Sequence, residues 1–480
     1  MVALPGRALE GPAADLAAVL AVWGGAASVE HLSSVSGLPA GAMLTAVREA
    51  TAAGVLRWRP DDRLEFVRES DRDAVYDDVP PPLRRLLHTA HAAALEADDA
   101  LSRAGTLAAA GRVDDAVHVA REGLATSDDP AVRSRLRSFL CFTLISAARV
   151  ADARAEIDAL LALPLPDEAR TRLGHLRTWV DLLAGDTALP DPPADPDHPT
   201  ALLNAAIAAL LRGRTHRATE LATASVEARA GESWADAASA TVWPAWCRLL
   251  AEGPAAAERD SLAVRSRARR SGHLWLGPYH EFVSARIHTA AGRWREASAE
   301  IDAGLAAAAG TGTGWTSLAL AGRARMQLDR GDAGAAAATL DRARDAPEQF
   351  GLPAVAIAVA LVDEARGSLA AAHTRAHAAW AAARDGGRTI VSVMFGPDLA
   401  RLALRADRRD ALDAVAAALR ADAPDGVLTA PVVALVDALA AADPVAVEAA
   451  AGTAAAAGDV PGEMAALEEG AALAAGLGDP

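Results

Sequence analysis

Lysine is absent from all 480 residues, so the 47 basic residues are arginine throughout. Without a lysine amine the chain has neither a Walker-type phosphate loop nor Schiff-base chemistry. Cysteine is nearly as scarce. Cys141 and Cys247 are too few and too far apart for a zinc cluster or a secreted disulfide framework, and a reducing cytoplasm is the expected home. Aromatic residues make up 4% of the chain, which leaves few large groups to fill a thick core and favours many small interfaces. Long apolar runs are missing as well. The stretch 354–362 falls well short of the roughly 20 residues that span a bilayer, and the opening MVALPGRALEGPAADL lacks a charged segment followed by a continuous apolar one. A soluble, unprocessed chain with no membrane partner is expected.

What is abundant is alanine, the strongest helix former. A hydrophobic content of 52% with 23% charged residues is globular rather than disordered, and a net charge of −16 repels polyanions. A short phrase, a small residue followed by glycine or arginine, a polar residue and alanine, recurs along the chain. AAGRVDDA at 109–116 and AAGRWREA at 290–297 are its cleanest copies. Taking the turns at 111, 149, 185, 213, 253, 292, 331, 367, 407 and 443, the mean step is about 37 residues. That period holds two helices of three to four turns with their connections, the hairpin of a tetratricopeptide-like solenoid. Glycine lets the backbone leave the first helix, and the alanine that follows lets the two helices approach closely. The one short step coincides with PDPPADPDHP at 190–199, whose prolines exclude a helix and mark a loop between two stacks.

The first 90 residues follow another pattern. A helical run from Asp15 to Trp23, then 28–37 and 39–56, precede RWRPDDRLEFV at 57–67, where turn residues separate two short alternating segments. Three helices and a hairpin predict a small winged-helix domain. The expected fold is therefore all-α: a winged helix with a short β-hairpin over 1–90, tetratricopeptide-like repeats over 91–189, a proline-rich loop at 190–199 and further repeats over 200–480.

The phrases LSSVSGLP (32–39), EATAAGVL (49–56) and FVRESDRDAVYDDVPPPLRRLLH (66–88), followed by the repeats, resemble the LuxR-type large ATP-binding regulators, the maltotriose-regulator-like signal-transduction ATPases. That resemblance implies a winged helix that does not bind DNA and a helical-repeat sensor. In the family these follow an ATPase module and commonly precede a C-terminal DNA-binding domain. Neither flanking module has a counterpart in this chain: no phosphate loop occurs, and the last repeat runs into LEEGAALAAGLGDP without a basic helix-turn-helix. Arg68 stands where the family carries a nucleotide-sensing histidine.

Direct nucleic-acid binding is not expected. The helix that would enter the major groove offers Gly41, Ala42, Met43 and Thr45, then Arg48 beside Glu49, and residues 1–90 hold nine arginines against twelve carboxylates. Six of the ten tryptophans fall between 234 and 315. Trp234, Trp275 and Trp315 recur near the repeat spacing, each near the start of a first helix, and such positions form a stripe usually found on the inner face of a superhelix. Tyr279, one turn beyond Trp275, and Arg286, two turns further, complete a candidate aromatic platform with a cation, suited to a sugar, a flat metabolite or a peptide. The competing reading is that these rings fill gaps between alanine-rich helices. His373 and His377 have the spacing of a zinc helix but carry Thr374 where a metalloprotease has glutamate, so no metal is expected. The run RSRARR at 265–270 reads as a solvated face or a dock for an acidic partner. No nucleophile elbow or dinucleotide loop occurs, so neither enzyme nor cofactor is expected. The sequence thus points to a non-catalytic regulatory or scaffold protein, the sensor portion of a LuxR-type regulator, holding a protein partner or small effector on the concave repeat surface. The alternative is a DNA-associated transcriptional regulator.

Overall fold

The computed structural model describes residues 2–4, 7–95, 99–147, 149–184, 198–229, 240–270, 277–311, 315–344 and 352–477, and every statement below concerns these. They fall into two compact units. Unit 1 comprises Met1–Ala147 with Arg265–Gly277 and Ala307–Thr313; unit 2 comprises Ala148–Val264, Pro278–Ala306 and Gly314–Pro480.

Unit 1 opens with an antiparallel pair of strands, β1 (Val2–Leu4) and β2 (Arg7–Leu9), which the sequence pattern does not announce. Helix α1 (Gly11–Trp23) starts four residues earlier than its apolar run suggests, with Pro12 in its first turn where no backbone N–H is required. Helices α2 (Val29–Ser36) and α3 (Ala40–Ala52) follow, and then β3 (Leu56–Trp58) pairs with β4 (Leu64–Phe66). Ala27 bridges to Leu64 on the far side of β4. After β1 and β2, residues 11–66 run as three helices followed by a hairpin. Leu16, Leu20, Leu32, Leu56, Leu64 and Tyr76 are almost completely enclosed in one core. A short helix not anticipated from the sequence, α4 (Glu69–Asp78), precedes α5 (Pro81–Ala94). Arg84 fastens the two: its Nε donates to the Val79 carbonyl at 2.6 Å and its guanidinium lies 4.4 Å above the Tyr76 ring. Helices α6 (Ala100–Ala109), α7 (Val113–Thr126) and α8 (Pro130–Ser146) complete the main segment.

Unit 2 contains α9 (Val150–Leu161), α10 (Asp167–Ala184), α11 (Pro199–Leu211), α12 (Thr215–Glu227), α13 (Val242–Glu252) and most of α14 (Pro254–Arg270). It continues with most of α15 (Gly277–Ala290) and of α16 (Trp294–Thr311), then α17 (Thr316–Asp329), α18 (Ala333–Arg344), α19 (Leu352–Ala365) and α20 (Leu369–Asp385). Helices α21 (Thr389–Arg405), α22 (Arg409–Asp422), α23 (Ala430–Ala441), α24 (Pro444–Ala457) and α25 (Val460–Leu477) end it. Pro199 is not loop but the first residue of α11, where its missing N–H costs nothing. The rest of the proline-rich stretch, 190–197, and the turn expected at 185 lie outside the described residues.

The repeated phrase corresponds to one local structure. At Gly213 the glycine N–H donates to the Leu210 carbonyl while the next N–H, of Arg214, reaches back to Ala209. This paired closure needs a left-handed residue, and Gly213 supplies it at φ +75°. The same two bonds recur at Gly111, Gly292, Gly331 and Gly367, and at Asp407 and Ala442, where a side chain is forced into the left-handed region. Five residues past the turn stands a side chain with no exposure: Ala116, Ala218, Ala297, Ala336, Ala372, and in the last two hairpins Leu412 and Val447. The glycine and this alanine therefore set how closely each pair of helices packs. The stack is an α-solenoid of tetratricopeptide-like helical hairpins, and no helix among the described residues is long and apolar enough to cross a membrane.

Within unit 2 the stack curls until its early and late repeats meet. Turns and connections separated by some 210 positions are hydrogen-bonded: Asp425 N–H to the Gly213 carbonyl at 2.9 Å, Arg214 Nη1 to Ala423 O at 2.9 Å, and Thr215 Oγ1 to Asp425. Val427 and Leu428 donate to Ala251 and Leu250, each at 3.1 Å, and α11 packs on α21. Three turn glycines meet this seam. An added Cβ would sit 3.1 Å from Pro424 at Gly213, 2.9 Å from the Ala457 carbonyl at Gly253 and 2.8 Å from Val460 at Gly292.

Candidate functional site

The predicted platform divides. Trp234 and Trp275 lie outside the described residues. Tyr279 on α15 is 8% exposed and Trp315 4%, and the two rings meet edge to face at 4.9 Å. Trp243 and Trp246 on α13 close on Trp315 at 5.4 and 5.5 Å, also edge-on. Such edge contacts are the arrangement aromatic quadrupoles favour in a core. Trp315 precedes α17 in a left-handed conformation, φ +68°, which a bulky residue adopts only when its surroundings hold it. Tyr279 and Trp315 are therefore core residues, and no open aromatic face is formed by them.

Arg286 is placed differently. It lies on the same helix as Tyr279 and its side chain is half-buried. Burial lowers its affinity for the proton, Asp459 opposes that, and Arg325 adds to it. Arg325 belongs to a band of charge contributed by α17, α19, α21 and α25, all but the last of them first helices of their hairpins. Arg325 Nη1 donates to Asp398 Oδ2 at 2.7 Å and its Nε to Asp329 Oδ1 at 3.1 Å. Arg401 binds Glu364, with Asp398 at 3.6 Å and Glu469 at 3.8 Å, and Arg405 reaches Glu364 at 2.9 Å and Glu469 at 3.7 Å. The neighbouring Asp398 raises the Arg325 pKa, whereas burial pushes the Glu469 and Asp459 carboxyls up. Sequence periodicity gave Arg286 as a candidate but not this network, whose members reach from Arg325 to Glu469, 144 positions apart.

Further groups bear on function by what they cannot do. Cys141 and Cys247 are fully buried, and burial holds the Cys247 thiol protonated up to about 12, so it is no nucleophile. His373 and His377 on α20 stand 5.9 Å apart ring to ring, with Trp380 next to the second, and no group of three metal-capable side chains occurs among the described residues. An open groove of about 370 Å³ between α12 and α13 is lined by His216, Glu220, Glu227, Arg248 and Glu252. The basic run at 265–270 ends α14, but its side chains beyond Arg265 lie outside the described residues.

In unit 1 the outward face of α3 presents Leu44, Thr45, Arg48 and Glu49. The hairpin's arginines are occupied: Arg57 Nε donates to Glu65 at 2.8 Å, and Arg59 and Arg63 pair with Glu65 and Asp61. Neutralised cations offer little to a phosphate backbone. Arg68 likewise is engaged locally, its Nε 3.2 Å from the buried carboxylate of Asp71 at the start of α4. A histidine pair missed by sequence reasoning joins α2 to α5. His91 Nε2 lies 3.0 Å from the Val19 carbonyl and must donate to it, so its Nδ1 accepts from His31 Nε2 at 2.8 Å. Trp23 covers both rings, at 4.4 and 5.2 Å. Burial lowers both pKa values, that of His91 to about 4.

No family model matches this chain, and no curated protein matches it. Solved structures with a similar arrangement of helices include the Cut9–Hcn1 hetero-tetramer of the APC/C, at 12% identity over 76% of this chain and 75% of that one, TM-score 0.46. Yeast Tom70 is similar at 10% identity over 85% of this chain and 93% of its own, TM-score 0.33. A signal-transduction ATPase with numerous domains and a tetratricopeptide-repeat sensor, from Pyrococcus horikoshii, is similar at 14% identity over 96% of this chain, TM-score 0.28. This chain spans 62% of the length of that ATPase. Likenesses of this size carry no functional argument, and the solenoid assignment stands on the repeated hairpins themselves.

Proposed function

We propose that the chain is a non-catalytic regulatory or scaffold protein, the sensor portion of a LuxR-type regulator, whose repeats hold a protein partner or a small effector on their inner face. In this reading residues 1–90 form a winged-helix joint, and the repeats of 91–189 and 200–480 flank the proline-rich 190–199. The observation that carries it is the charged band of Arg325, Asp398, Arg401 and Glu469. It lies along the helices of unit 2 where a solenoid needs only small apolar residues for packing; Arg325 keeps 42% of its side-chain surface exposed, while Asp398, Arg401 and Glu469 keep 10%, 18% and 12%. Tyr279 and Trp315 serve this reading as the core on which α15 and α17 are held. A cytoplasmic location and the absence of catalysis belong to the same proposal.

Hydrogen exchange of the purified chain with and without a co-purified partner tests it. Protection on α15, α17, α19 and α21 is expected. Protection confined to α3 and the 56–66 hairpin, with binding to duplex DNA that weakens steeply with salt, would instead establish the DNA-associated regulator.

A further inference from the structure

Two imidazoles join the first helices of unit 1 to the helix that leads into the repeats. His31 on α2 and His91 on α5 are 60 positions apart, and their facing nitrogens, Nε2 and Nδ1, stand at 2.8 Å. The rings stack with centroids 5.0 Å apart, and Trp23 at the end of α1 lies against both. His91 has no exposed surface; His31 is half-buried. Helix α5 packs on α1 and α2 on one side and on α6, which opens the first hairpin, on the other. The pair therefore sits at the contact between α1, α2 and the start of the stack.

The partners fix where the hydrogens are. His91 Nε2, 3.0 Å from the Val19 carbonyl, carries a hydrogen, so in the neutral ring Nδ1 is bare and accepts from His31 Nε2. This arrangement answers a first and a second proton differently. A proton taken up by His31 goes to its Nδ1, away from the contact, and leaves the bond in place with a charged donor. A proton taken up by His91 has only Nδ1 to occupy. Both facing nitrogens then carry hydrogen at 2.8 Å, and two positive rings lie stacked on each other.

No counter-charge meets that state. Asp15 on α1 and Glu30 on α2 are exposed, and neither reaches an imidazole. On α5, Arg84 is turned to the Val79 carbonyl and Tyr76, while Arg85 and the buried His88 add no acceptor of negative charge; the charged residue of α6 is Arg103. From α4, Arg72 reaches the Gly24 carbonyl beside Trp23 at 3.2 Å with Asp73 as its own partner at 2.8 Å. Burial opposes the His91 charge most, the Val19 carbonyl favours it, and a charged His31 opposes it again.

We propose that His31 and His91 form a two-proton latch: with one proton or none the pair fastens α5 to α1 and α2, and with two it releases α5 and uncouples those helices from the hairpin of α6 and α7. This inference goes beyond the sensor reading and is independent of what unit 2 holds.

The test follows two quantities in the whole chain from pH 6.5 down to 4, where His91 takes up its proton. Deuterium uptake at the imidazole C2 positions reports the protonation of each histidine. Backbone amide protection in α5, corrected for the intrinsic pH dependence of exchange, reports release, with α7 as internal reference. His31 is expected to titrate above His91, and α5 protection to fall about tenfold as His91 titrates, with α7 unchanged. His91→Gln keeps an N–H for the Val19 carbonyl and takes up no proton, so its α5 is expected to stay protected at pH 4. His31→Gln removes the charge that opposes a proton on His91, so release is expected at higher pH than in wild type. That variant decides the matter if His91→Gln does not fold. Protection of wild-type α5 that is indifferent to pH overturns the proposal, as does His91 titrating before His31. Loss of α5 protection that persists in His91→Gln, or that falls together with α7, also overturns it, since acid unfolding of unit 1 then accounts for the change.

Discussion

Asp425 caps a helix that begins 210 positions before it. Its Oδ1 accepts from the Thr215 hydroxyl at 2.9 Å, from the Thr215 N–H, and from the His216 N–H at 3.2 Å, which satisfies donors that the first turn of α12 leaves unpaired. A carboxylate at a helix N-terminus also complements the helix dipole. One side chain from a late connection thus completes an early helix and closes unit 2.

Replacing Asp425 by alanine is therefore expected to cost about 1–2 kcal/mol, in the range of a lost N-cap. The loss should be local. Hydrogen exchange at Thr215, His216, Val427 and Leu428 is expected to accelerate, while exchange in α18 stays unchanged. Unaltered exchange at those four amides would show that the seam does not depend on this carboxylate.

Turn glycines and turn alanines should respond in opposite directions. Gly292→Ala places a methyl group 2.8 Å from Val460 at a residue with φ +70°, and a destabilisation of about 1–3 kcal/mol is expected. Ala442 already holds φ +54°, so Ala442→Gly relieves strain and is expected to be neutral or stabilising by about 0.5–1 kcal/mol. Denaturant midpoints of the two variants check both signs.

The histidine pair of unit 1 makes stability depend on pH. His91 titrates near 4 when folded, against an ordinary value near 6.5, so the unfolded chain takes up its proton first as pH falls. Stability from this group is complete above about pH 6.5 and is lost progressively down to about pH 4, by at most roughly 3 kcal/mol. His91→Gln should flatten that part of the stability profile. An unchanged slope between pH 6.5 and 4 in that variant would remove His91 as its source.

Both thiols are expected to resist an aromatic disulfide reagent in the native state, since Cys141 and Cys247 have no exposed surface and burial keeps the Cys247 thiol protonated. Labelling should appear only with unfolding, and its rate should track denaturant. Rapid labelling of native protein would show that α8 or α13 opens readily.

Much of the fold was legible because hairpin geometry is local. A glycine that must turn left-handed and an alanine five residues on that must fit between helices are constraints within one repeat, so they recur in sequence at Gly111, Gly213, Gly292, Gly331 and Gly367 with their partners. Helix α4 escaped notice because its acidic, arginine-containing stretch has no regular apolar face and is held by Asp71, Tyr76 and the neighbouring Arg84. Of the candidate site, only Arg286 was found by helical spacing. That spacing puts Tyr279 and Arg286 on one side of α15, but it cannot say that Trp315, 36 positions further, covers the Tyr279 ring.

Sequence alone determined that this chain is a tandem of helical hairpins, because each turn and each close helix contact is specified by residues a few positions apart. Tertiary structure alone decided that the tandem of unit 2 closes on itself through Asp425 and Thr215, and that Arg325 meets Asp398. Those relationships join residues tens to hundreds of positions apart, and they depend on a small rotation accumulated from repeat to repeat that no single repeat encodes.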